Sequence, residues 1–187
     1  MNIVQPIVKA PESSAVIRFQ DCDPFGHLNN ARYMDYFFNA REDHLVKHYD
    51  FRIFEWGKTN NASWVVSQNQ LAYLRPAMVM EDVIIRTALI QLSNSVITFE
   101  GLMYDSGKHR LKAVLWSELT YVSLATGRTT PHPAEIMDFF GSVLVDEPGV
   151  QQGFPLRVHT LRELARTTVN TTAIRPSPPT GDESLLK

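Results

Sequence analysis

Asp21-Cys22-Asp23-Pro24-Phe25-Gly26-His27-Leu28-Asn29-Asn30-Ala31-Arg32-Tyr33 sets two carboxylates, a turn, a histidine and two asparagines directly ahead of an apolar helix. That helix is expected from about Asn30 to His48. Tyr33, Met34, Phe37, Phe38, the Arg41 stem and Leu45 recur at intervals of three and four, the helical period. Asn29 or Asn30 is its expected N-cap, because a short amide oxygen accepts from the exposed first-turn N–H groups. Upstream, Ala15 to Gln20 alternates apolar and polar residues and reads as a strand. A carboxylate held between a strand and a helix N-terminus can attack a carbonyl, or activate water on it, while the helix amides stabilise the oxyanion.

Downstream, strand character dominates. Residues 51–61 read as turns; Trp64 to Leu74, Val83 to Leu92, Val96 to Tyr104 and Leu111 to Leu124 read as strands. Ser93-Asn94-Ser95 and Asp105-Ser106-Gly107-Lys108 are the turns between consecutive strands. Pro133 can open a short helix that Gly141 closes. One helix followed by a run of strands indicates an α+β domain with an antiparallel sheet. Residues 1–14 read as a lead-in and 15–141 as the domain. Residues 142–187 are an extension with no functional reading. Within it, Leu156 to Thr168 can hold a short amphipathic helix using Leu161, Leu164 and Ala165, and the Pro-rich stretch 175–181 reads as disordered or extended.

Composition removes several function classes. With 187 residues, a formal charge of −2 and no block of like charge, the chain lacks the basic footprint of a nucleic-acid binder. No apolar run approaches the roughly 20 residues of a membrane span. The N-terminal residues lack the pattern of a secretory signal. Cys22 is the one cysteine, which excludes an internal disulfide and a cysteine-based zinc site. A cytoplasmic protein is expected.

Each residue of the opening stretch also has a plain structural reading. Asp-Pro commonly starts a turn whose side chain bonds its own backbone; position alone raises Asp23 above that, with Gly26 permitting close backbone approach. If the strand continues extended, Asp21 shares a face with Asp23 as an orienting or structural group, and Cys22 points away. His27 is either catalytic or a positioning group. Tyr33, Phe37 and Phe38 are core with an acyl-binding edge. His44 and His48 stand at metal-compatible spacing but lack a third ligand, and read as solvated surface histidines. No metal or cofactor is expected.

The stretch from Asp21 to Tyr33 resembles the hotdog-fold acyl-CoA thioesterases of the 4-hydroxybenzoyl-CoA thioesterase family. Tyr73-Leu74-Arg75-Pro76-Ala77, Glu81-Asp82 and Leu111 to Arg128 extend the resemblance over about residues 15–140. It implies a single hotdog domain, a long central helix wrapped by a curved antiparallel sheet, and subunits paired as a homodimer or dimer of dimers. By the same resemblance Asp23 matches the catalytic carboxylate, acting as nucleophile or general base. Gly26 matches the turn, and the backbone N–H near Asn30 the group that polarises the thioester carbonyl, with Asn29 and Asn30 positioning. His27 leans toward aliphatic acyl groups, and Asp21 and Tyr33 are structural or orienting. The implied substrate is acyl-CoA, or an acyl group on acyl-carrier protein (ACP). Arg75, Arg86, Lys108, Arg110 and Arg128 are candidates for the coenzyme A phosphates. The competing readings are an acyl-thioester dehydratase or hydratase and a non-catalytic acyl-CoA-binding module.

Overall fold

The computed structural model describes residues 7–172, with side-chain environments described through Arg166. In chain order its elements are β1 (Glu12–Val16), α1 (Tyr33–Tyr49), α2 (Ile53–Asn60), β2 (Ala62–Tyr73), β3 (Asp82–Leu92), β4 (Val96–Asp105), β5 (Leu111–Ser123), α3 (Ala134–Val143) and α4 (Phe154–Thr172). The five strands form one antiparallel sheet in the order β1-β3-β4-β5-β2, and α1 packs on one face of it. This is the hotdog arrangement.

Alternation along the strands assigns the faces. Ile97, Phe99 and Met103 of β4 join Val83 and Ile85 of β3, and Ala113, Leu115, Leu119 and Tyr121 of β5, in one buried cluster with Tyr33, Phe37 and Ala40 of α1. Gly101 lets the helix come close: a Cβ there would stand 2.5 Å from Phe37 Cδ1. Asp50 in the left-handed region (φ 49°) ends α1, its N–H reaching back to Leu45 and Val46 carbonyls.

The first strand is Glu12–Val16, earlier than the alternation at Ala15 to Gln20 indicates. Phe19–Asp21 is instead a tight 3-10 turn. The turn-rich reading of 51–61 also fails, because Ile53–Asn60 is helical. Trp56 holds it in place, donating its indole N–H to Tyr121 Oη at 3.1 Å beside Phe51 and Trp64. His44 is not solvated. It is 2% exposed, with Nδ1 2.7 Å from Thr87 Oγ1, and burial and then neighbouring His48 lower its pKa to about 4.

The sheet's other face is covered by residues beyond Gly141. Val158 and Leu161 of α4 pack with Leu102, Leu111 and Val114, while Val150 packs with Ala88, Ile90 and Trp116. Among these side chains Arg157, 0% exposed, donates from Nε and Nη2 to Glu100 at 2.8 and 2.7 Å, and Trp116 donates to the same carboxylate at 2.9 Å. Arg157 also reaches the Pro148 carbonyl and Glu147, which pairs with Arg86 as well. Burial alone would raise the Glu147 carboxyl, but hydrogen bonds and charge from Arg86 and Arg157 hold it below the usual carboxylate range. The extension's helix is therefore longer than expected and set differently. Val158 and Leu161 face the sheet, whereas Leu164 is 51% exposed. The stretch 175–181 lies outside the described residues.

Candidate active site

Pro24 and Gly26 shape the loop between the 3-10 turn and α1. Gly26 takes φ 76°, and Asp23 closes the loop on itself: its N–H donates to the His27 carbonyl at 2.8 Å, and its carbonyl accepts from Gly26 at 3.0 Å. Asp23 Oδ1 accepts from the N–H groups of Phe25 (2.9 Å) and His27 (3.1 Å). The turn role anticipated for an Asp-Pro pair is real, and it uses one carboxylate oxygen. No hydrogen bond among the described residues engages Oδ2. The loop is stitched to the segment after β2 by Leu28 N–H to the Ala77 carbonyl (2.8 Å) and Val79 N–H to the Gly26 carbonyl (2.9 Å).

Asn29 caps the helix, its Oδ1 accepting from Ala31 N–H at 3.0 Å. The turn Asn30–Arg32 then runs straight into α1. Asn30's carbonyl accepts from Tyr73 Oη at 2.8 Å, and no bond among the described residues engages its N–H. Asp23, His27, Asn30, Tyr33, Tyr73 and Arg75 come together around an open pocket of about 270 Å³. The His27 ring makes no hydrogen bond among the described residues and lies 6.4 Å from the Phe25 ring. Tyr33 is buried beneath the pocket, its Oη accepting from Ala77 N–H at 3.1 Å and its ring edge-on to Tyr73. Burial pushes its phenol up.

Asp21 is elsewhere. Because the chain turns at Phe19–Asp21, Asp21 does not share a face with Asp23. It lines the groove along β1 and the outer side of α1, accepting from Tyr36 Oη at 2.8 Å, while Tyr36 Oη accepts from Arg18 N–H at 2.9 Å. Asp21 thus ties β1's exit to α1. Cys22 contacts the core and lies 3.3 Å from the Arg18 carbonyl. Burial and then the charges of Asp21 and Asp23 push its thiol up, against a thiolate nucleophile.

Sequence reasoning did not assign Tyr73 to the site. Its signal was only its place at the exit of β2, since nothing in residues 70–77 links it by spacing to Asn30. Of the five basic candidates, Arg86 and Lys108 are committed to Glu147 and Glu12, while Arg75 borders the Asp23 pocket.

Comparison with known proteins bears on the family and the fold. A family model described as the thioesterase-like superfamily matches residues 17–140. The long-chain acyl-CoA thioesterase FadM of Escherichia coli (strain K12) is 32% identical over 90 residues, 45% of this chain, and the match spans 66% of that relative's length. The probable thioesterase YbaW from Escherichia coli superposes with a TM-score of 0.63 at 22% identity, covering 72% of this chain and 98% of that one. A 1,4-dihydroxy-2-naphthoyl-CoA thioesterase from Synechocystis does so with a TM-score of 0.65 at 11% identity, covering 71% and 96%. With the hotdog fold in place and the family match spanning it from Ile17 to Phe140, this chain belongs to the thioesterase-like superfamily.

Proposed function

We propose that this protein hydrolyses acyl-CoA thioesters, with Asp23 as general base and the Asn30 N–H as oxyanion donor. One observation carries the reading. Asp23 spends Oδ1 on holding its own loop, which leaves Oδ2 uncommitted in a pocket that also contains Asn30, whose N–H is likewise uncommitted. A thioester is already an activated acyl group, so one carboxylate suffices without a triad. Oδ2 takes a proton from water as its oxygen attacks the carbonyl carbon. The oxyanion forms against the helix N-terminus, where one such donor is worth about 3 kcal/mol in other enzymes. Collapse breaks the C–S bond, and the departing thiolate takes the proton back from Asp23. Gly26 and Asn29 hold the loop and the cap, and His27 lines the same pocket as a second polar group.

The likeness to a long-chain acyl-CoA thioesterase supports aliphatic acyl-CoA as substrate, with acyl-ACP the secondary candidate. A cytoplasmic location is part of this reading; separately, no helix among the described residues is long and apolar enough to cross a membrane. A homodimer or dimer of dimers is the working assembly, because β2 is a 12-residue edge strand with Val65 and Val66 each 46% exposed. Light scattering should give at least twice 21.3 kDa; a fully active monomer would refute the pairing.

The test is an acyl-CoA panel of graded chain length with a thiol-reactive dye. Free coenzyme A should appear with aliphatic acyl groups. A change in enoyl absorbance without free thiol would make the protein a hydratase, and binding without either signal would make it a non-catalytic module.

A further inference from the structure

Beside the Asp23 pocket, and sharing Leu74 and Arg75 with it, lies an open groove of about 910 Å³. Its polar lining among the described residues consists of Arg75, His109, Arg110, Arg162 and Arg166, and no carboxylate of the described residues lines it. These residues come from three places: the exit of β2, the turn between β4 and β5, and α4. All five are exposed. Arg162 and Arg166 are four apart on α4 and so share a helix face, while Val158 and Leu161 pin that helix to the sheet. Arg166 also pairs with Glu163 at 2.6 Å, an exposed contact that water and salt weaken. Four guanidinium groups converging on one concavity repel one another. The arrangement suits an anion, and arginine's planar fork suits phosphate in particular.

We propose that this groove binds the phosphates of the nucleotide end of the thioester carrier, with α4 supplying one wall. The proposal rests on the thioesterase reading of the Asp23 pocket. It goes beyond that reading because Arg162 and Arg166 lie outside residues 17–140, the span shared with the superfamily. Continuity supports it: a thioester at Asp23 must pass its carrier out of the pocket, and Arg75 borders both spaces. Shape favours a small polyanion over an acidic protein surface. The groove's volume lies within the ~300–1,000 Å³ of small-molecule pockets, whereas a protein partner needs a broad patch of about 800 Å².

The experiment uses the full chain and the variant Arg162→Glu/Arg166→Glu, with Arg162→Gln/Arg166→Gln as a milder second variant. Each is assayed on an acyl-CoA and on the same acyl group carried by N-acetylcysteamine, which has no phosphate. The preference for acyl-CoA, a ratio of kcat/KM values, should fall about tenfold or more, the scale of one lost charge-assisted hydrogen bond. Adenosine 3′,5′-bisphosphate should compete with acyl-CoA in the unaltered protein and lose that ability in both variants. An unchanged preference, or an equal loss on both substrates, would overturn the proposal. If the unaltered protein hydrolyses neither thioester, the thioesterase reading fails; calorimetric titration with the bisphosphate then decides the groove by itself.

Discussion

Against α1 the sheet presents Val83, Ile85, Ile97, Phe99 and Met103, and the helix answers with Tyr33, Phe37 and Ala40. Against α4 it presents Glu100 among Leu102, Val114 and Trp116, and the helix answers with Arg157. The first face follows the general rule that burial is driven by apolar area. On the second, a guanidinium and a carboxylate are both taken out of water and held by the bonds between them. Such a pair adds little net stability over a hydrophobic replacement, but removing one partner leaves the other as an uncompensated buried charge, so α4 docks where Arg157 meets Glu100. The apolar face carries the Asp23 loop, at the start of α1. The ion-paired face carries the arginines proposed to hold the substrate's phosphates.

Breaking the ion pair from one side should have the largest effect on stability. Arg157→Met leaves Glu100 buried with the Trp116 N–H as its remaining side-chain donor, and should cost about 3–5 kcal/mol in chemical denaturation. Pairing it with Glu100→Leu should recover most of that loss. Failure to recover would mean that the network through Glu147 and Pro148, more than the pair, fixes α4.

On the apolar face, Gly101→Ala should cost about 1–3 kcal/mol, because the added methyl meets the Phe37 ring and the helix must shift. A neutral result would show that α1 is less tightly seated than its buried ring implies.

The smallest effect is a pH dependence. His44 is neutral and buried in the fold, so protons bind the unfolded chain preferentially. Stability is complete above about pH 6.5 and declines as pH falls toward the folded value of about 4. Glu147 is also held low, and its contribution fades only below the ordinary carboxylate range, a separate window. The drop in melting temperature between about pH 7.5 and about pH 5 should therefore be smaller in His44→Gln than in the unaltered chain. Equal drops would remove His44 from the account.

The contrast between the faces also explains what the sequence made legible. The apolar periodicity from Tyr33 to Leu45, the β-branched runs and the Ser-Asn-Ser and Asp-Ser-Gly-Lys turns are local signals, and they locate α1 and β2 to β5. Glu100 and Arg157 are 57 positions apart, and each alone reads as an ordinary solvent-facing charge. His44 likewise reads as solvated until Thr87, on another element, is brought to it. Asp21 was grouped with Asp23 because an extended chain puts alternate residues on one side. The turn at Phe19–Asp21 comes from a pattern too short to show a period. Asp23, Gly26, His27 and Asn30 were legible together because one loop holds them; Tyr73 was not, because it reaches Asn30 from another element.

In the proposed mechanism Oδ2 of Asp23 does the chemistry while Oδ1 holds the loop. Asp23→Asn separates the two, since the amide keeps an acceptor for the Phe25 and His27 N–H groups and loses the base. Its kcat on an acyl-CoA should fall about a hundredfold or more, the scale of general-base catalysis, with the melting temperature unchanged. Near-unaltered turnover by a folded Asp23→Asn protein would contradict the account and pass the role of base to His27.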